Sequence, residues 1–187
     1  MGKLISFEER AVATLRDRLG AAESAKEDLI AFARGHSGAT AAIHSAVLAL
    51  MEADGVEALF DVVSRDWPRL LGLDHAVLAL VADGKGFRVE ADHVGTVEPR
   101  IVDRAIERLD SITMRTVDCG HPLFGSAAKD IRSEALILLQ AEAPLPYGLL
   151  LLGQKSAACL DNRHGAQLLG FLGSCLNAML RRWLMNG

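Results

Sequence analysis

Apolar and polar positions divide the chain into two unlike stretches. Between about residues 7 and 53 the apolar residues keep a 3-4 spacing. Val12, Leu19, Lys26, Ala33, Thr40 and Val47 recur every seven residues, and Leu15, Ala22, Leu29, His36, Ile43 and Leu50 recur in the offset register. That is the spacing of a coiled-coil seam. Ser6 with Glu9 reads as a capping box that starts the helix. At about 1.5 Å per residue the helix would be about 70 Å long, more than a small domain can bury. The stripe therefore predicts a partner helix and a homodimer through Val12, Leu15, Leu19, Leu29, Ile43, Val47 and Leu50. Lys26, His36 and Thr40 weaken the seam, and polar seam residues can fix register. Gly35 and Gly38 allow a kink, or two helices folded back as a hairpin. An amphipathic helix packed on its own domain is the other reading of the same pattern.

From Asp54 the pattern changes. Asp54-Gly-Val-Glu57 reads as a second capping box, opening a helix with Val56, Leu59, Phe60, Val63, Trp67 and Leu70 near one face. Pro68 distorts its last turn and Gly72 ends it. Beyond it the period shortens to two. His75 to Val81 is a strand and Asp83-Gly84-Lys85-Gly86 a turn. Phe87, Val89 and Ala91 then alternate with Arg88, Glu90 and Asp92. Pro99 opens a helix with Ile101, Val102, Ala105, Ile106 and Leu109 as its buried stripe. Ser111 to Val117 alternates as a third strand, and Asp118 to Arg132 reads as a loop. Ala135 to Leu139 and Tyr147 to Leu152 are central strands around a turn at Pro144 to Pro146. A helix from about Arg163 to Leu184, capped by Asp161 or Asn162, closes the chain with Leu169, Leu172, Leu176, Met179 and Trp183 in a stripe. Hairpin connections predominate. The predicted class is α+β: an antiparallel sheet of about five strands with packed helices, plus a long N-terminal coiled-coil helix. The expected division is a helical dimerisation segment at 1–53 and a domain at 54–187.

Composition narrows the partners. The 187 residues are 50% apolar with a net charge of −4, so no basic field favours nucleic acid or an anionic membrane. No apolar run approaches the roughly 20 residues of a spanning helix. Cys119, Cys159 and Cys175 are odd in number and widely spaced, which suits free thiols in a reducing cytoplasm.

Three segments carry a resemblance. LISFEERAVATLRDRLGAAESAKEDLIAFARGH, SEALILLQ and PYGLLLLGQKSAACLDNRHGAQLLGFLGSCLNAMLRRWL resemble the proteobacterial family known as domain of unknown function 484. In that family a helix near a Ser-x-x-Glu-Arg element precedes a domain similar to GAF, the small-molecule sensing relative of the PAS fold. Its Gly-Leu-Leu-x-Leu-Gly strand is matched by Gly148 to Gly153, while Gly153-Gln154 and Cys159-Leu160 depart from the family's turn. The resemblance implies a GAF-like domain, a ligand cavity between the sheet and its helix-loop side, and a signalling or regulatory role. It names no cofactor. The Asn-Lys-Phe-Asp-Glu set of cyclic-nucleotide GAF domains and the Cys-His dipeptide of bilin attachment have no match here.

Four residues are candidates for ligand contact. His93 lies on the face of Phe87, Val89 and Ala91 and would titrate near neutral pH. Arg115, beside Thr113 on the third strand, could hold an anion by its guanidinium fork. Cys119 and His121 could form a nucleophile pair or half a metal site. For each, a solvated or merely structural role is the competing reading. Arg100, Arg104 and Arg108 read as a solvated basic strip beside Asp103, Glu107 and Asp110. No catalytic set and no four-ligand metal cluster follows from the spacing. The expectation is a non-catalytic, dimeric, small-ligand-sensing or regulatory protein. The alternative is a protein-interaction scaffold whose pocket is filled by its own side chains.

Overall fold

A computed structural model describes residues 7–91, 93–140, 146–157 and 163–185, except for some side chains within 7–36 and those of 163 and 164. The chain divides into two compact units, Met1–Ala39 and Thr40–Gly187.

The first unit is helical. Helix α1, Phe7–Glu52, passes through Gly35 and Gly38 without a break and supplies the start of the second unit. Two glycines lower helix stability but leave every backbone donor in place, unlike proline. The hairpin alternative is thereby removed. Leu19 is 60% exposed and Lys26 is exposed. The side chains of Val12, Leu15 and Leu29, and the Ser6 cap, lie outside the described residues.

The second unit begins at Thr40 rather than Asp54, because the last turns of α1 belong to its core. Ile43 (4% exposed), Ala46 and Leu50 (0%) are buried there, with Val47 packed against them. This corrects the seam: Ile43 and Leu50 are already sealed inside their own domain and have no free apolar surface for a partner helix. Trp67, fully buried, donates its indole N–H to the Ala46 carbonyl at 3.1 Å and fastens α1 to the next helical segment.

That segment is built from α2, Val56–Asp61, a π-helical stretch Val62–Asp66, and α3, Trp67–Leu71. The distortion expected near Pro68 thus lies one turn earlier, where the missing proline N–H releases the helical ladder. Asp54 makes no capping bond; Gly55 occupies the N-cap position with no side-chain cap. Gly72 terminates α3 in the left-handed conformation, φ 67°, as an L-residue rarely would.

Among the described residues six strands follow: β1 His75–Ala82, β2 Lys85–Glu90, β3 His93–Val97, β4 Ile112–Thr116, β5 Ser133–Leu139 and β6 Tyr147–Gln154. They form one sheet in the order β3-β2-β1-β6-β5-β4, and all five pairings are antiparallel. The strand beyond the five expected is β3. His93 does not continue the β2 face; it opens β3 and pairs with Glu90 across the turn. Helix α4, Pro99–Ile106, precedes β4, and α5, Arg163–Met185, closes the chain. The predicted cap of α5 and most of the predicted Pro144–Pro146 turn lie outside the described residues.

Both sheet faces are covered. Leu78, Leu80, Ile137, Leu150 and Leu152 face the end of α1, the α2–α3 segment and Leu172 and Leu176 of α5. Val77, Ala79, Leu136, Leu149 and Leu151 face Val102 and Ala105 of α4 and Leu123, Phe124 and Ile131 of the following connection. Burial on both faces is why β1 and β6 read as unbroken apolar runs. Of the stripe expected on α4, Ile101 is exposed while Val102 and Ala105 are buried. The connection expected as a loop carries 3-10 turns over Pro122–Asp130, kinked at Gly125 (φ 60°).

Candidate functional site

The α4 side of the sheet holds the site. Antiparallel register sets Arg115 of β4 opposite Glu134 of β5, and Thr113 opposite Leu136. Alternation turns these side chains to the face covered by α4. Glu134 is fully buried, and its carboxylate is engaged from two sides. Arg115 donates Nε to Oε1 at 2.7 Å and brings Nη2 to the same oxygen at 2.6 Å. The backbone N–H of His121 donates to Oε2 at 2.7 Å. One carboxylate therefore orients a guanidinium and anchors the Cys119–Pro122 connection.

His121 is in turn fixed by its ring. Its Nδ1 accepts the Leu123 N–H at 3.2 Å and caps the 3-10 segment. An accepting Nδ1 assigns the neutral ring's proton to Nε2, leaving a donor. Burial lowers the His121 pKa below its ordinary 6.5, with Glu134 opposing and Arg115 reinforcing that shift. Gly120 has to be small: a Cβ there would lie 2.7 Å from Ile131 Cβ. Its own N–H donates to the Ala128 carbonyl at 2.8 Å. Away from this cluster, Tyr147 donates its hydroxyl to Asp103 Oδ1 at 2.9 Å and ties α4 to β6; that bond, more than burial, raises the phenol pKa.

Beside Arg115 and His121 lies a cavity of about 350 Å³. Its polar lining is Arg104, Arg108, Thr113, Arg115 and His121; its apolar lining is Ile101, Ala105, Leu109, Pro122 and Leu136. Carboxylates are absent from this lining. The structure thus brings Arg115 and His121 together and adds Arg104 and Arg108, which spacing alone assigned to a solvated strip. Glu134 was not anticipated. Its signal was an acid at the head of an otherwise apolar strand, Ser133–Leu139.

The remaining candidates lie elsewhere. His93 lines a separate cavity of about 490 Å³ with Arg65, Asp74, His75 and Glu90. There the charged groups already have partners: Arg65 bonds the Ala91 carbonyl, Glu90 pairs with Arg88, and Asp74 accepts the Lys155 N–H at 2.8 Å. Cys119 is exposed, and its thiol is directed to the carbonyls of Ala128 (3.5 Å) and Gly120 (3.7 Å). Cys119 and His121 are each engaged with the backbone rather than with one another. Among the described residues, no three His, Cys, Asp or Glu side chains gather to hold a metal ion. Cys159 lies outside the described residues. Among the described residues no helix is long and apolar enough to cross a membrane.

No curated protein matches this chain. Solved structures do. The GAF domain of a phosphoenolpyruvate-protein phosphotransferase from Coxiella burnetii is similar with a TM-score of 0.57 at 12% identity, covering 81% of this chain and 98% of that one. The Stigmatella aurantiaca phytochrome photosensory core module is similar with a TM-score of 0.54 at 15% identity over 78% of this chain. This chain spans only 36% of that module. A far-red absorbing protein with bound biliverdin matches with a TM-score of 0.54 at 14% identity, over 76% of this chain and 99% of that one. At such identities the likeness establishes a GAF-like fold. A profile of the family described as protein of unknown function DUF484 matches residues 1–185, and the chain belongs to that family.

Proposed function

We propose that the protein is a non-catalytic sensing or regulatory module that binds a small molecule in the cavity between α4 and the β4–β5 edge of the sheet. The observation that carries this reading is the cavity's lining, in which several hydrogen-bond donors and several apolar side chains border one space. Two supports are weaker. One structural neighbour holds biliverdin, and Cys119 and His121 are each occupied by the backbone rather than poised for catalysis.

The module works as a homodimer through the first unit of α1. Val12, Leu15, Leu19 and Leu29 keep the seam spacing, and Leu19 is exposed in the single chain. A monomeric mass by light scattering at micromolar concentration would defeat the dimer. A cytoplasmic location suits the free thiols of Cys119 and Cys175.

Ligand binding is tested by thermal unfolding of the intact chain against a metabolite library. A ligand that prefers the native state raises the midpoint. If no compound shifts it, the scaffold reading, with a cavity that accepts nothing, takes the place of sensing.

A further inference from the structure

The geometry points to a small organic anion as the occupant of the α4 cavity: a molecule with one carboxylate or phosphate group and a compact apolar body. The inference rests on the sensing reading and names the ligand class for the same site.

Four of the five polar lining residues are cations or N–H donors, and the fifth, Thr113, carries a hydroxyl. Arg104 lies in the last turn of α4 and Arg108 four positions on, just past the helix end, and like charges so placed repel. Among the described residues neither makes an ion pair, although Glu107 is three positions from Arg104. Arg115 is different, because Glu134 takes its Nε and Nη2 through a single oxygen. Its Nη1 has no assigned acceptor, and the guanidinium plane is already fixed. His121 adds the Nε2–H left over once Nδ1 has accepted from Leu123. The arrangement is rich in donors and unpaired positive charge, and guanidinium pairs with carboxylate or phosphate in two-point geometry.

The rest of the lining gives the ligand its body. Ala105, Leu109, Pro122 and Leu136 present apolar surface that an inorganic ion would not cover. A volume of about 350 Å³ is at the small end for ligand pockets, so the body is compact. The 490 Å³ cavity at His93 does not compete for an anion, since Asp74 and Glu90 line it and its Arg65 is already bonded.

The test uses the intact chain with matched probes by titration calorimetry: phenyl phosphate against phenol, benzoate against benzamide, and inorganic phosphate alone. The charged member of at least one pair should bind about tenfold more tightly than its neutral partner, about 1.4 kcal/mol. That preference should weaken as salt is raised. Replacing both exposed arginines, Arg104→Gln with Arg108→Gln, should remove the preference while leaving the unfolding midpoint unchanged. Equal binding of charged and neutral members would overturn the anion while leaving sensing intact. So would a charge preference that survives the double substitution. Phosphate alone binding as tightly as phenyl phosphate would overturn the organic body. If these probes fail but uncharged library members raise the unfolding midpoint, the anion falls and sensing stands. If neither the probes nor the library acts, both fall.

Discussion

The Arg115–Glu134 pair makes a prediction whose sign comes from unequal exposure. The Arg115 side chain is 50% exposed and the Glu134 side chain 0%. Replace each in turn. Glu134→Gln keeps the shape of the side chain but removes its charge and substitutes a donor for one acceptor, so either Arg115 or the His121 N–H faces a donor. The released guanidinium can turn to water. The loss is that of charge-assisted hydrogen bonds, about 2 kcal/mol. Arg115→Ala is the harsher change, because the carboxylate left behind loses its charged partner at a buried position. Only the His121 N–H at 2.7 Å still serves it. A buried charge stripped of its partner costs about 3–5 kcal/mol. The buried partner should therefore be the cheaper one to delete, against the usual expectation that burial marks the costlier residue. The double substitution should recover at least about 1 kcal/mol relative to the sum of the singles. Urea unfolding followed by circular dichroism gives the comparison, provided the slope is unchanged among the four proteins. The reasoning fails if Arg115→Ala is milder than Glu134→Gln, or if the two effects add to within about 0.3 kcal/mol.

Three further outcomes follow from the same structure. Leu50→Ala should lower the domain's stability by about 3 kcal/mol, since Leu50 is fully buried, whereas Leu19→Ser should change unfolding of the single chain by less than about 0.5 kcal/mol and act only on association. Unfolding curves and light scattering of both variants check this, and loss of the dimer in Leu50→Ala without loss of stability would contradict it. Gly120→Ala drives a Cβ to within 2.7 Å of Ile131 and should destabilise by about 2 kcal/mol while shifting the His121 connection, measurable as a lower urea midpoint. Because burial holds the His121 pKa below 6.5, the unfolded chain takes up the proton first as pH falls. The His121 contribution to stability is complete above 6.5 and is lost as pH drops from there through the lowered folded value; His121→Asn should flatten that part of the profile.

What could be read from the chain was whatever depends on periodicity. The period of two in β2, the unbroken apolar runs of β1, β5 and β6, and the Leu172–Leu176 stripe all follow from one residue's neighbours along its own element. The resemblance supplied the GAF-like class that those elements alone left open. The misreadings come from positions where another element decides. Strand β3 is short, half-exposed and interrupted by Gly95, so it has no apolar alternation of its own and forms because β2 offers an open edge. Ile43 and Leu50 obey a heptad, yet a heptad cannot say whether its partner is a second chain or the protein's own sheet. The answer came from Trp67 and the neighbouring helices, which seal the last turns of α1.

The site shows the same limit more sharply. Arg115 and His121 were legible because their chemistry is unusual on a strand and in a connection, but they are six positions apart, one on β4 and one beyond it. Only the register of β4 on β5 puts Glu134 beside both. Arg104 and Arg108 look like an ordinary solvated strip until the fold brings the end of α4 and the turn after it to one cavity with Thr113, Arg115 and Leu136. A buried acid at the head of an apolar strand is therefore the signal to follow in such a sequence. Glu134 is costly to bury alone, so its presence requires a cation and a donor near β5, and finding them locates the cavity.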